Sequence, residues 1–164
     1  MPKAELSVYE VKKESDMQLI IGHAGFIKTA EDLYEAIISS TPNVKFGLAF
    51  IEASGPCLVR SEGNDSALTK LAEENALGIG AGHTFIILFR EAFPINVLNA
   101  IKAVPEVARV YCATANPVQV LTGSTGLGKA IVGVIDGSAA KGIESSKDKS
   151  ERRALLRHLG YKLQ

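Results

Sequence analysis

Apolar and polar positions follow two rhythms along this chain, one near period two and one near period 3.6. Ala4 to Val11 alternates loosely and predicts a strand. Met17 to Ile21 predicts a second, short one, after a polar connection Lys12-Lys13-Glu14-Ser15-Asp16. Gly22-His23-Ala24-Gly25 then loosens the backbone. Thr29 and Asp32 have capping-box-like spacing, and Leu33, Ala36, Ile37 and Ile38 recur with helical period, so a helix is expected until Thr41-Pro42-Asn43. Val44 to Ile51 reads as a buried strand, and Glu52-Ala53-Ser54-Gly55 as the turn after it. Beyond Pro56 comes a short apolar piece, Cys57-Leu58-Val59. Gly63-Asn64-Asp65-Ser66 is a turn that doubles as a helix start. A helix from about Ser66 to Ala76 presents Leu68, Leu71, Ala72 and Asn75, with Gly78 as its expected stop. His83 to Arg90 is a strand, and Pro94 opens a helix through Val97, Leu98 and Ile101. Three more strands follow at Val107–Ala113, Val118–Leu121 and Ala130–Ile135. Gly137 to Lys147 is the one stretch expected to be flexible. Lys147 to Leu159 then forms an amphipathic helix whose apolar side is Leu155, Leu156 and Leu159, with Gly160 as its end.

These elements predict a single α/β domain over residues 1–164, a mixed β-sheet with packed helices. A doubly wound parallel sheet is disfavoured, because the strands after Cys112 are too closely spaced for helical crossovers. A chain of 164 residues buries roughly 70% of its unfolded surface, enough for a core without staples. Lys plus Arg and Asp plus Glu number 18 each, so the basic excess of a nucleic-acid binder is missing. Aromatic residues are 6% with no Trp, which leaves few stacking platforms for single strands. Met1-Pro2-Lys3-Ala4-Glu5 has no signal-peptide pattern, and no apolar run reaches the ~20 residues of a membrane span. A cytoplasmic protein with reduced Cys57 and Cys112 is expected, with no nucleic-acid or membrane partner.

The candidate chemistry centres on Gly123-Ser-Thr-Gly-Leu-Gly-Lys129. Its spacing is nearly that of a Walker phosphate loop. Ala130, however, stands where a Ser or Thr hydroxyl would hold magnesium, and β-branched residues follow instead of a helix. A glycine-rich hairpin turn fits the context better. A middle reading keeps the Gly126–Gly128 amides and Lys129 as an anion site without a Walker fold. Gly78-Ile-Gly-Ala-Gly-His83 lacks the third glycine of a dinucleotide fingerprint and runs helix-then-strand, so a Rossmann fold is not expected. His23, His83 and His158 have no ligand spacing, so no zinc pattern exists. A magnesium ion shared between carboxylates and a phosphate leaves little sequence trace and stays open. No Gly-x-Ser-x-Gly elbow is present, and Cys112 lies inside a strand. Ala113-Thr-Ala-Asn-Pro117 and Asp136-Gly137 end strands with small or polar residues, which suits an approaching ligand as well as an ordinary turn. The basic residues of the last helix, interrupted by Asp148 and Glu151, suit a solvated face or a subunit contact.

Taken together, several segments resemble the adenosine-specific kinase family. They are Phe26-Ile-Lys-Thr-Ala-Glu-Asp-Leu-Tyr-Glu-Ala36, Lys45-Phe-Gly-Leu-Ala-Phe50 with Glu52-Ala-Ser-Gly55, Gly63-Asn-Asp65, Ala81-Gly-His83 and Pro94-Ile-Asn-Val-Leu98. Ala113–Pro117, Gly133-Val-Ile-Asp-Gly137 and Leu155-Leu-Arg-His-Leu-Gly-Tyr-Lys162 continue the match over nearly the whole chain. The resemblance implies binding of adenosine or AMP, phosphoryl transfer to adenosine, and a homo-oligomer built from trimers. Lys129 departs from it, because the family pattern commonly has Arg there. Lys keeps the charge without the planar fork. Phosphoryl transfer needs cations on the transferring group and a carboxylate near the attacking hydroxyl. Asp136 is the first candidate carboxylate and Glu52 the second. Lys129, Gly126 and Gly128 are candidates for phosphate, and Thr114 and Asn116 for ribose or base. Lys28, Asn64, His83 and Asn96 are further polar candidates within the family-like segments. The phosphate donor is left open. A non-catalytic adenosine-nucleotide sensor is the alternative reading.

Overall fold

The strand rhythm resolves into two antiparallel sheets in the structure, a computed structural model that describes residues 3–163. Residues 1, 2 and 164 of the expected 1–164 domain lie outside the described residues. The strands are β1 (Glu5–Glu10), β2 (Gln18–Ala24), β3 (Lys45–Ile51), β4 (Val59–Gly63), β5 (Thr84–Arg90), β6 (Val107–Thr114), β7 (Val118–Ser124) and β8 (Lys129–Asp136). The helices are α1 (Thr29–Ser40), α2 (Ser66–Ile79), α3 (Pro94–Ala103) and α4 (Ser146–His158). A five-stranded sheet has the order β4-β3-β5-β2-β6, and a three-stranded sheet the order β1-β7-β8. Every ladder among the described residues is antiparallel. The α/β domain with packed helices is the expected class, and it has neither Walker nor Rossmann topology.

Alternation along the central strands explains the layers. Ile20, Phe46, Leu48, Phe50, Phe85, Ile87 and Phe89 point to one side of the large sheet, where Leu33 and Ile37 of α1 and Val97 and Ile101 of α3 cover them. Leu19, Ile21, Ala49, Ile51, Ile86 and Leu88 point to the other. There Leu68, Ala72, Ala76 and Ile79 of α2 pack beside Val118 and Val120 of the small sheet. Both faces are covered, which is why β3 and β5 read as nearly continuous apolar runs. Gly47 lets α2 lie against β3, since a Cβ there would sit 2.1 Å from the Thr69 amide nitrogen.

Three local expectations change. Thr29 is the first helical residue of α1 rather than its cap; Lys28 holds the cap position. Buried Thr29 turns its hydroxyl back to donate to the Phe26 carbonyl at 2.7 Å. Helix α2 runs past Gly78 and stops at Gly80, which is left-handed at φ 64° and donates its amide to the Ala76 carbonyl. Gly78 instead makes room for Tyr9, whose ring would lie 2.0 Å from a Cβ. Strand β4 is polar because it is an edge strand; the sequence shows only an apolar piece ending at Val59 and a turn beginning at Gly63, with residues 60–62 unassigned. Among the described residues, no helix is long and apolar enough to cross a membrane.

Candidate functional site

At one end of the large sheet, the loop after β3 (residues 52–58), the turn from α2 to β5 and the β7–β8 tip converge. Between them lies a cavity of about 680 Å³, within the range of ligand sites. Its wall is mostly apolar, with Ile51, Ala53, Cys57, Val59, Ala76 and Leu77, while Glu52 and Lys129 supply charge. A second cavity of about 450 Å³ opens beside it on the α1 side of the sheet. Gly25, Phe26, Ile27, Gly55, Pro56, Arg60 and His83 line it, together with Ser54. Glu52 borders both cavities.

Glu52 follows directly on β3, and its side chain is only 11% exposed. Oε1 accepts from the Ala53 amide at 3.0 Å and the Ser54 hydroxyl at 3.3 Å. Oε2 lies 3.2 Å from the Arg60 guanidinium, and His83 Nε2 is 3.7 Å from Oε1. Burial alone would push the carboxyl up, but the Ala53 and Ser54 hydrogen bonds and the nearby Arg60 and His83 outweigh it. The result is a carboxylate held below its ordinary range, ionised at neutral pH.

His83 is left-handed at φ 61°, a conformation that costs energy for a residue with a side chain. Its amide donates to Ile51 and its carbonyl accepts from Ala24, so the backbone is pinned from both sides. The ring stacks on Phe50 at 6.0 Å and meets His23 edge-on at 5.9 Å. His23 is pushed down first by burial, then by His83 and Arg109, and stays neutral near pH 7. Cys57 shares the left-handed region at φ 52° and is exposed on the large cavity. Cys112 is buried, and burial pushes its thiol up to about 12.

The Gly123–Lys129 run is a hairpin turn. The Thr125 amide donates to the Gly128 carbonyl at 2.8 Å, and Ser124 pairs with Lys129 across the ladder. Fully exposed Leu127 marks the tip. A Cβ on Gly126 or Gly128 would meet nothing within 4 Å, so neither glycine is required by packing. Gly128 and Lys129 border the large cavity. The Lys129 ammonium lies 3.5 Å from where a Cβ on Gly80 would be, beside the carbonyl end of α2.

The remaining expected residues lie elsewhere. Asp136 closes β8 at the end opposite Lys129, roughly 20 Å along the strand. It accepts from Asn116 Nδ2 at 3.0 Å, while Thr114 Oγ1 accepts from the Asn116 amide. One chain therefore does not bring Asp136, Thr114 and Asn116 to Lys129. Asn64 spends its amide on the Phe46 amide and the Val44 carbonyl, and Asn96 caps α3 through the Phe93 amide. Lys28 pairs with Asp32 and Glu106, and those two hydrogen bonds push its ammonium up. Residues with no assigned role in the sequence reading, Arg60, Phe26 and Ile27, join Glu52 and His83 at the small cavity. Arg60 left no signal, because it falls between the apolar piece that ends at Val59 and the turn that begins at Gly63. Phe26 and Ile27 fall inside a family-like segment whose individual roles the pattern does not give.

The site is thus a ligand-sized apolar cavity in an antiparallel α/β domain, with one held carboxylate and one ammonium on its wall. The model of the family described as adenosine specific kinase matches residues 9–162, and the chain belongs to that family. Its fold is similar to that of the PH1918 protein from Pyrococcus horikoshii OT3, known from a crystal structure. The likeness is 45% in sequence, with a TM-score of 0.95, over 99% of this chain and 100% of that one. No curated protein matches.

Proposed function

We propose that this protein binds adenosine in the larger cavity and transfers a phosphoryl group to it, giving AMP. One observation carries the reading. A chain matched by the adenosine-specific kinase model over residues 9–162 has, in an apolar cavity of about 680 Å³, one carboxylate and one ammonium. Phosphoryl transfer asks mainly for positioning and charge stabilisation. Glu52 accepts the hydrogen bond of the attacking hydroxyl, and Lys129 faces the phosphate of the product. His83 and Arg60 hold Glu52 in place. A magnesium ion carried on donor phosphates would meet Glu52 as its carboxylate and neutralise phosphate charge.

The same reading puts the protein in the cytoplasm, with both cysteines as thiols, and makes it a homo-oligomer. Exposed Leu6, Val8, Val132 and Ile135 on the small sheet support self-assembly.

Glu52→Gln tests the assignment. Turnover of adenosine is expected to fall about 100-fold or more, with adenosine affinity within about threefold. Asp136→Asn is expected to keep turnover within about threefold, because Asp136 stands at the far end of β8. Steady-state kinetics and calorimetry measure both. The opposite pattern would move the catalytic carboxylate to Asp136, and tight adenosine binding without turnover from any donor would leave only a sensor.

A further inference from the structure

Leu127 combines two properties that an ordinary surface leucine does not. It borders the large cavity, yet it is fully exposed. Leu77, near the end of α2, also borders the cavity and is 70% exposed. Two large apolar side chains thus rim an apolar cavity without being covered. The restraints on the β7–β8 tip are light. Beyond the last ladder pair, Ser124 with Lys129, one backbone hydrogen bond spans the turn, from the Thr125 amide to the Gly128 carbonyl. The Leu127 amide donates only to the Thr125 hydroxyl, at 3.2 Å. Gly126 and Gly128 on either side would meet nothing with a Cβ, so the turn can change its backbone angles without collision. Strand β8 is the edge of its sheet, and its ladder with β7 carries a register shift between Leu121 and Thr122, a place for the hairpin to bend. The other wall is fixed. A Cβ on Gly82 would lie 2.9 Å from the Ala53 Cβ, and the Gly80 amide is tied to the Ala76 carbonyl at 2.8 Å.

We propose that Leu127 is a specificity-determining residue: the β7–β8 tip closes over the large cavity and lays Leu127 on the purine face of bound adenosine. The proposal rests on the reading of that cavity as the adenosine site. With Glu52 and Lys129 at the ribose and phosphate end, the flat ring is left to the apolar wall of Ile51, Val59, Ala76 and Leu77. A flat ring leaves water only when both faces are covered, and Leu127 is an apolar side chain on a support that can move. Closure buries an exposed leucine and the second ring face together, so the closed state is the one that ligand favours. The same movement carries Lys129, at the base of the turn, with the tip and excludes water from the transferring group. Leucine offers neither charge nor hydrogen bond, so it senses the base and is indifferent to the phosphate.

Calorimetry with adenosine and AMP, together with hydrogen exchange on the full chain, tests this. Leu127→Ser is expected to weaken both ligands about tenfold, unlike the loss of a phosphate contact, which falls on AMP. Leu127→Met is expected to stay within about threefold of the unaltered protein for both. Leu127 is fully exposed, so both variants keep the core. Saturating adenosine is expected to slow exchange of the amides across residues 125–129 at least about fivefold. Unchanged affinities in Leu127→Ser would overturn the proposal, as would a loss confined to AMP. Adenosine that binds but protects only other segments would remove the lid and leave the adenosine reading standing. Protection of the tip without turnover from any donor would uphold the lid and overturn the kinase reading alone. Failure of adenosine to bind would overturn both.

Discussion

Lys129 shows how a single side chain keeps one part of a motif while losing the rest. Its glycine spacing suggests a phosphate loop, but no helix N-terminus follows to add its amides. What remains is an ammonium at the mouth of an apolar cavity, near the carbonyl end of α2. Such a charge distinguishes ligands by their phosphate rather than by their base. Lys129→Ala is therefore expected to weaken AMP about tenfold while changing adenosine less than about threefold, read by calorimetry on the two ligands side by side. Equal losses would place the phosphate elsewhere. His83 makes the complementary point. Its residue type is visible in the sequence, but its left-handed backbone and its place between Phe50, His23 and Glu52 are tertiary facts.

At the scale of elements, α2 joins the two sheets. Buried Asn75 accepts from the Lys12 amide at 2.8 Å and the Tyr9 hydroxyl at 3.2 Å, and donates to the Lys12 and Leu71 carbonyls. One turn on, Gly78 admits the Tyr9 ring. Gly to Ala inside a helix ordinarily stabilises by about 1 kcal/mol. Here the new methyl would overlap the ring and pull Tyr9 from Asn75, so Gly78→Ala is expected to destabilise by about 1–3 kcal/mol. Urea unfolding gives the sign directly, and a stabilised variant would show that Tyr9 does not seat there. Helix periodicity made α2 and its inward face legible, Asn75 included. It could not distinguish a glycine that ends a helix from one that makes room for a neighbour, because both are small residues near a helix end. For the same reason of missing context, edge strand β4 shows no strand pattern of its own, and Arg60 on it has no assigned role.

For the whole molecule, two apolar surfaces are left uncovered by the chain itself. The outer face of the small sheet exposes Leu6, Val8, Val132 and Ile135. Helix α4, capped by Ser145 and Asp148, has no buried residue, and Leu155 and Leu159 are exposed. A helix of this length is marginal alone in water. Self-assembly through these surfaces predicts that Val8→Glu combined with Val132→Glu shifts sedimentation to the monomer with the fold intact by circular dichroism. An unchanged oligomer would move the interface elsewhere. The fold was largely legible because long apolar runs and helical faces are local signals. The candidate site is legible in part: Glu52, His83 and Lys129 are all sequence candidates, but the sequence sets the Lys129 hairpin beside Asp136, whereas Lys129 shares a cavity with Glu52, and Glu52 and His83 share the other with Arg60 and Phe26. Proximity along a hairpin had stood in for proximity in space, and a strand of eight residues separates the two ends.

The two cysteines differ in a way that has a practical consequence. Cys112 is sealed in the core with its thiol pushed up to about 12, while Cys57 stands exposed on the wall of the large cavity. A maleimide dye or a tethered adenosine offered to the native protein meets one accessible thiol, already on the wall of the proposed adenosine cavity, so a fluorescent test of occupancy requires no engineered cysteine.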